Sequence, residues 1–245
     1  MRFFSVTVIL LALITIAFSS TSHARDKQYE AKQVNLTIDG NLSEWSGSDI
    51  IIFDELKDAG ARIPDSKDFS GSAMVGWNPS DPKRIYFAVT ITDNELQDIN
   101  PQGDLFWEDD SMEFMFDFTN DGSLVQWNVA ANGKTISSAS TEDNCEWIVV
   151  NKGNQYVFEV AIDPTKGNPE KPGFGADFFA EIGGLIGLSI HYNDCENGTR
   201  EHQIGWIAGQ AWGAENFGDL IFSEEKAAVD ASGKLATTWG KIKSR

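Results

Sequence analysis

Period-two alternation constrains this chain more than any other feature. In Ser111–Phe118, Met112, Phe114, Phe116 and Phe118 share one side, while Glu113, Met115 and Asp117 share the other. That spacing fits a strand with one face on a core. Leu124–Ala131 likewise sets Trp127, Val129 and Ala131 against Gln126 and Asn128. Ile186–Asn193 sets Leu188, Ile190 and Tyr192 against Ser189, His191 and Asn193. Further strands are expected at Val34–Ile38, Ala73–Trp77, Ile85–Thr92, Glu146–Val150, Tyr156–Ile162, His202–Ile207 and Leu220–Phe222. Gly, Asn, Asp and Pro punctuate the gaps, as in Asn120-Asp121-Gly122. Many short strands separated by turn residues predict an all-β fold. The expected form is an antiparallel β-sandwich, jelly-roll or immunoglobulin-like, with at most short helices. The best helical candidate is Ala176–Ile182. The lack of a long amphipathic helix excludes a doubly wound α/β fold.

Domain organisation follows from changes in composition. Arg2, the apolar run Phe3–Phe18 and the small-x-small Ser22-His23-Ala24 read as a secretory signal peptide over residues 1–24. The run is shorter than the ~20 residues of a membrane span, and no second one follows, so no span is expected in the mature chain. Localisation is then secreted, periplasmic or at the cell surface. Residues 25–33 are polar and read as a flexible lead-in. Residues 34–222 form the sandwich, and residues 223–245 form a C-terminal tail that ends in basic residues. The formal net charge is −18. No basic stripe is present, so a nucleic-acid partner is excluded, and an anionic membrane is disfavoured. Cys145 and Cys195 are the two cysteines. An exported chain permits a disulfide, but sequence separation does not decide between a bridge and two free thiols.

Two constellations carry chemistry. Trp107 lies in the loop Gly103–Asp110, and Trp212 lies in the glycine-rich stretch Gly209–Ala214. A loop tryptophan either folds back as a lid on the core or offers its face to a ligand. A sugar ring stacks its apolar face on indole, and its hydroxyls need carboxylates, amides or imidazole. Glu113, Asn128 and His191 lie on the polar sides of three strands and would line one shallow surface if those strands are neighbours in one sheet. The second constellation is acidic: Asp93–Asp110 holds seven carboxylates and no Lys or Arg. It is either a solvated loop or a hard-oxygen cation site, which Asp194 would join. The chain shows no nucleophile elbow, zincin motif, Cys-x-x-Cys or phosphate-binding loop.

These residues, in order, resemble carbohydrate-binding module family 9 in the DOMON-like β-sandwich superfamily. Ile38-Asp39-Gly40-Asn41-Leu42-Ser43-Glu44-Trp45 resembles the family's opening motif. Arg84–Asp93 resembles its next strand, and Trp107–Asp117 its W-E-x-D-S-V-E-x-F-x-D signature. Gly187–Asp194 resembles its G-F-x-x-x-x-N-D strand, and Trp212 with Phe217-Gly218-Asp219-Leu220 its closing motif. The resemblance implies a non-catalytic sandwich that stacks a sugar between two tryptophans, here Trp107 and Trp212. It implies that the sugar-binding carboxylate falls on Glu113, with His191 in place of a Gln and Asn128 in place of an Arg. It also implies structural calcium, with Asp93, Asp110 and Asp194 as ligands.

Two other readings remain open at this stage. One is a haem b domain of the DOMON type that transfers electrons, with His191 and Met115 or Met112 as axial ligands. The other is a glycoside-active enzyme, which needs a pair of carboxylates across a cleft.

Overall fold

The structure, a computed structural model, describes residues 25–80, 84–100, 105–166 and 181–227. The expected signal peptide, most of the expected helix Ala176–Ile182 and the end of the tail lie outside the described residues. The strands are β1 (Gln28–Gln33), β2 (Ile51–Ile52), β3 (Glu55–Leu56), β4 (Phe69–Asn78), β5 (Arg84–Asp93) and β6 (Ser111–Asp117). They continue as β7 (Val125–Ala130), β8 (Ile136–Ser138), β9 (Cys145–Asn151), β10 (Gln155–Ile162), β11 (Leu185–Glu196), β12 (Thr199–Gly205) and β13 (Gly218–Lys226). The helical elements among the described residues are short 3₁₀ turns. The all-β expectation therefore holds.

The main hydrogen-bonded path runs β8-β7-β6-β11-β13-β1-β4-β5-β10-β9, with β12 attached to β11 and β3 to β12. The path folds back so that its two halves face each other. Phe87 of β5 lies 4.6 Å from Phe114 of β6, Phe158 of β10 lies 6.3 Å from Tyr192 of β11, and Trp77 of β4 lies 5.1 Å from Phe222 of β13. Phe114 and Tyr192 come from the apolar sides that alternation assigned, and all six rings belong to the main core. Each close ring pair contributes about 0.5–1.5 kcal/mol beyond its buried area. Phe114→Ala would cost about 3–5 kcal/mol.

Four expectations are corrected. First, the lead-in is not a flexible segment throughout, because Gln28–Gln33 forms β1. Tyr29 and Ala31 are buried there between polar neighbours, an alternation that the polar composition hides. Second, β1 pairs in parallel with both β13 and β4, so the sandwich is not wholly antiparallel. Third, Val34–Ile38 is not a strand. Val34, Leu36 and Ile38 instead pack with Trp45, Tyr86 and Ala161 on the outer side of the sheet, which satisfies their alternation without a ladder. Fourth, the sandwich does not stop at Phe222, since β13 runs on to Lys226. Of the two options for the cysteines, the structure has two free, buried thiols.

The segment Ile38–Trp45 owes its shape to one buried acid. Glu159 of β10 accepts from the Trp45 indole N–H at 2.9 Å, and from the backbone N–H groups of Asp39 and Gly40 at 2.9 and 2.8 Å. Gly40 has φ +79°, a left-handed conformation open to glycine at little cost.

Candidate functional site

The polar row anticipated by alternation forms across three neighbouring strands. Glu113 of β6 is directly paired with Asn128 of β7 on one side and His191 of β11 on the other. The row is deeper than an open sheet face. Glu113 and Asn128 are buried, and His191 is fully enclosed. Loops build walls above it and leave a cleft of about 570 Å³, within the range of small-ligand sites.

Trp107 and Trp212 both border this cleft, and they are 47% and 65% exposed. Neither is a lid folded into the core. Trp107 sits in the 3₁₀ turn Phe106–Glu108. Its turn is anchored where the Ser111 hydroxyl donates to the Phe106 carbonyl at 3.2 Å and the Gln97 amide donates to the Glu108 carbonyl at 2.7 Å. The Trp212 loop is tied down by Ala211 N–H, which donates to the Asp58 carboxylate at 3.0 Å.

The Glu113 carboxylate is held from several sides. Oε2 accepts from the Gln126 amide at 2.7 Å and lies 2.7 Å from His191 Nε2, and Oε1 accepts from the Asn193 amide at 2.7 Å. Burial opposes its charge. The His191 ring, the Asn193 amide and the Arg200 guanidinium outweigh burial and hold the carboxyl below the usual carboxylate range. The Asn128 amide donates to the Ser137 and Ser138 hydroxyls at 2.9 Å each, while its Oδ1 is buried without a hydrogen-bond partner.

Of the residues expected at the site, Trp107, Trp212, Glu113 and Asn128 line the cleft. His191 does not. It is on the expected side of the sheet, but it is enclosed beside Glu113 with 0% exposure and is corrected to a supporting residue. Sequence reasoning missed Asp58, Arg200 and Gln203, which also line the cleft. They arrive on β12 and on the turn after β3. The Arg200 guanidinium and the Gln203 amide both donate to Asn193 Oδ1 at 3.1 Å. Gln203 falls within the expected strand His202–Ile207 and Arg200 two residues before it, while no sequence signal marked Asp58. Lys57 follows β3 with its amine buried and unpaired. Burial pulls its pKa down to about 8, against the upward pull of Asp58 and Glu113.

Asp93, Asp110 and Asp194 also converge. One oxygen from each lies within 4.8 Å of the others, and all three side chains are buried. Burial first, and then their neighbours' negative charges, push Asp93 up to about 6, Asp110 to about 9 and Asp194 to about 8. Around them, Gln97 and Cys195 N–H donate to Asp110, the Tyr192 hydroxyl donates to Asp93 at 3.0 Å, and His202 Nδ1 lies 3.1 Å from Asp194.

The geometry is unfavourable for the haem alternative. His191 already places Nε2 on Glu113, and Met115 is buried against Ala211, Ala214 and Phe217. Met112 is buried in the main core.

Comparison with known proteins shows the family and the fold. A family model described as "Carbohydrate family 9 binding domain-like" matches residues 38–225. A family 9 carbohydrate-binding module from Caldicellulosiruptor kristjanssonii, solved in complex with cellotriose, superposes with TM-score 0.62 at 15% identity, covering 84% of this chain and 97% of that one. The same organism's module in complex with glucose superposes with TM-score 0.62 at 15% identity, covering 83% and 100%. A protein from Bacteroides uniformis superposes with TM-score 0.57 at 13% identity, covering 80% and 99%. No curated protein is detectably similar in sequence.

Proposed function

Because the chain belongs to the carbohydrate family 9 binding domain-like family, we propose that it is a non-catalytic carbohydrate-binding protein. The observation that carries this reading is the pair of exposed indoles, Trp107 and Trp212, bordering one cleft that also reaches the Glu113 carboxylate. A sugar ring seated between the indoles offers them its C–H faces, while its edge hydroxyls meet the polar row. Glu113 accepts a sugar O–H. Its own donors hold the acceptor in place before the ligand arrives, which lowers the ordering cost of binding. The unpaired Asn128 Oδ1 is a second acceptor, since a buried oxygen without a partner gains most from one. Arg200 and Gln203 donate from the opposite wall. Stacking plus a few hydrogen bonds corresponds to about micromolar to millimolar affinity, roughly −4 to −8 kcal/mol.

The related modules were solved with cellotriose and glucose, so glucose and short gluco-oligosaccharides are the first ligands to test. The test is a tryptophan-fluorescence titration with mono- and oligosaccharides. Borohydride-reduced sugars run alongside would report any preference for a reducing end. Saturable quenching supports the reading. A folded protein with no response to any sugar overturns it.

The three converging aspartates are proposed to hold a structural cation, with calcium as the best match. Buried, mutually repelling carboxylates fit a hard ion that takes oxygen ligands. When bound, the ion would offset two of the three negative charges of Asp93, Asp110 and Asp194 and so tie β5 and β11 to the start of β6. Among the described residues, no helix is long and apolar enough to cross a membrane. Residues 1–24 are proposed to direct export to the periplasm, the cell surface or the medium.

A further inference from the structure

Asp117, Gly187 and Asp219 are direct partners in one row across β6, β11 and β13. Both carboxylates are about 1% exposed. Between them lies Arg25, the residue that follows the expected cleavage motif Ser22-His23-Ala24. Its Nη1 donates to Asp219 Oδ1 at 3.0 Å and to Asn120 Oδ1 at 2.8 Å, and its Nη2 donates to Asp117 Oδ2 at 3.3 Å. The seat is shaped for it. A Cβ on Gly187 would lie 2.9 Å from Arg25 Nη2 and 3.0 Å from the Asp117 Cβ, so any side chain in the middle of the row would close the slot.

The row is one charge short of balance. A single guanidinium faces two buried carboxylates. The Arg25 backbone N–H also donates to Asp219 Oδ2, at 3.2 Å. Hydrolysis of the Ala24–Arg25 peptide bond would leave a carboxylate on Ala24 and an amine on Arg25. That amine takes up a proton and becomes an ammonium group beside Asp219 Oδ2.

We infer that Arg25 is the mature N-terminus, and that its α-ammonium and guanidinium together clamp Asp117 and Asp219 once the leader is removed. The nascent residue would thus serve as both a processing product and a structural cation. A buried acid with an unmatched charge is costly, so the clamp makes the processed chain more stable than an extended one. The guanidinium spans both carboxylates, and the ammonium adds the missing charge at Asp219. Lys27 does not supply that charge, because its amine is committed to Glu55 and the Trp206 carbonyl.

This inference rests on the export reading above but not on sugar binding. The experiment has two arms. In the first, the full chain is expressed in an exporting host, and the N-terminus of the exported protein is sequenced. Arg25 is the expected first residue. A different first residue overturns the inference alone, whereas a chain kept inside the cell with residues 1–24 intact overturns the export reading as well. In the second arm, protein beginning at Arg25 is prepared with a free amine, with an acetylated amine, and with a Gly-Ser extension. The free-amine form is expected to melt about 2–4 °C higher than either blocked form. That gap should close in Asp219→Asn. If Asp219→Asn does not fold, raising the pH from 7 to 10 should close the gap by deprotonating the amine. Equal melting of the free and blocked forms overturns the clamp.

Discussion

His191 Nε2 and Glu113 Oε2 lie 2.7 Å apart across β11 and β6. The ring is wholly enclosed and the carboxylate borders the cleft. A ligand in the cleft would thus meet Glu113, and His191 holds Glu113 from the neighbouring strand. Removing either residue has a different consequence. Glu113→Ala should weaken sugar binding about 10–100-fold, the value of a charge-assisted hydrogen bond of about 1.5–3 kcal/mol. His191→Ala should cost stability first, by about 1–3 kcal/mol, because it leaves the carboxylate short of a partner. Calorimetric titration and thermal melting of both variants separate these effects.

Trp107→Ala and Trp212→Ala should each weaken sugar binding about tenfold or more, equivalent to about 1.4 kcal/mol. Both indoles are largely exposed, so the melting temperature should change by less than ~2 °C. A large loss of stability would mean that they serve the fold instead.

Chelation should lower the melting temperature, and added calcium should restore it. Asp110→Asn should melt at one temperature with or without chelator. Ion binding at tens of dissociation constants adds about 2 kcal/mol of stability. A melting curve insensitive to both calcium and chelator would remove the cation from the reading of Asp93, Asp110 and Asp194.

Lys57 gives a pH signature. Its folded pKa, about 8, lies below the ordinary 10.5. Between those values the unfolded chain binds the proton that the folded chain has lost, so the contribution of Lys57 to stability rises with pH across that window. Below pH 8 both states are charged and the cost of burying the amine is fully present. Lys57→Met should therefore stabilise the protein at pH 7 by about 1–3 kcal/mol. Its advantage should shrink as pH climbs from 8 to 10.5. Chemical denaturation at pH 7 and pH 10 checks both points.

Both thiols should resist labelling in the native protein. Cys145 and Cys195 are buried. Burial pushes the Cys145 thiol up to about 12, while burial and the nearby Asp110 and Asp194 carboxylates push Cys195 well above its ordinary value. Thiolate is the reactive form. A disulfide-exchange reagent should count close to zero thiols before denaturation and two after it.

The sequence revealed sides but not depths. Alternation placed Glu113, Asn128 and His191 on one face, and the strand pairing bears that out. It could not tell that loops would roof the face, so His191 was expected to meet the ligand and is found enclosed beside Glu113. Asp58, Arg200 and Gln203 were harder to foresee. Their positions depend on β12 pairing with both β11 and β3, contacts between distant segments that no local pattern announces. The same limit hid β1, where Tyr29 and Ala31 are the only strongly apolar residues of a polar hexamer. The run without a basic residue marked Asp93 and Asp110 only as two of seven carboxylates, and the resemblance was needed to single them out with Asp194.

The parallel clasp of β1 against β13 joins Tyr29 to Leu220 and Ala31 to Phe222. Among the described residues, the first strand therefore waits for the last before the two halves of the path can be linked. Long loops of this kind slow folding, since the entropy of closure is lost before the contacts form. Until β13 is synthesised, a growing chain lacks the pairing that joins β11 to β1 and closes the path. If residues 1–24 direct export as proposed, that delay keeps the chain threadable through a translocation pore and lets the sandwich close on the far side.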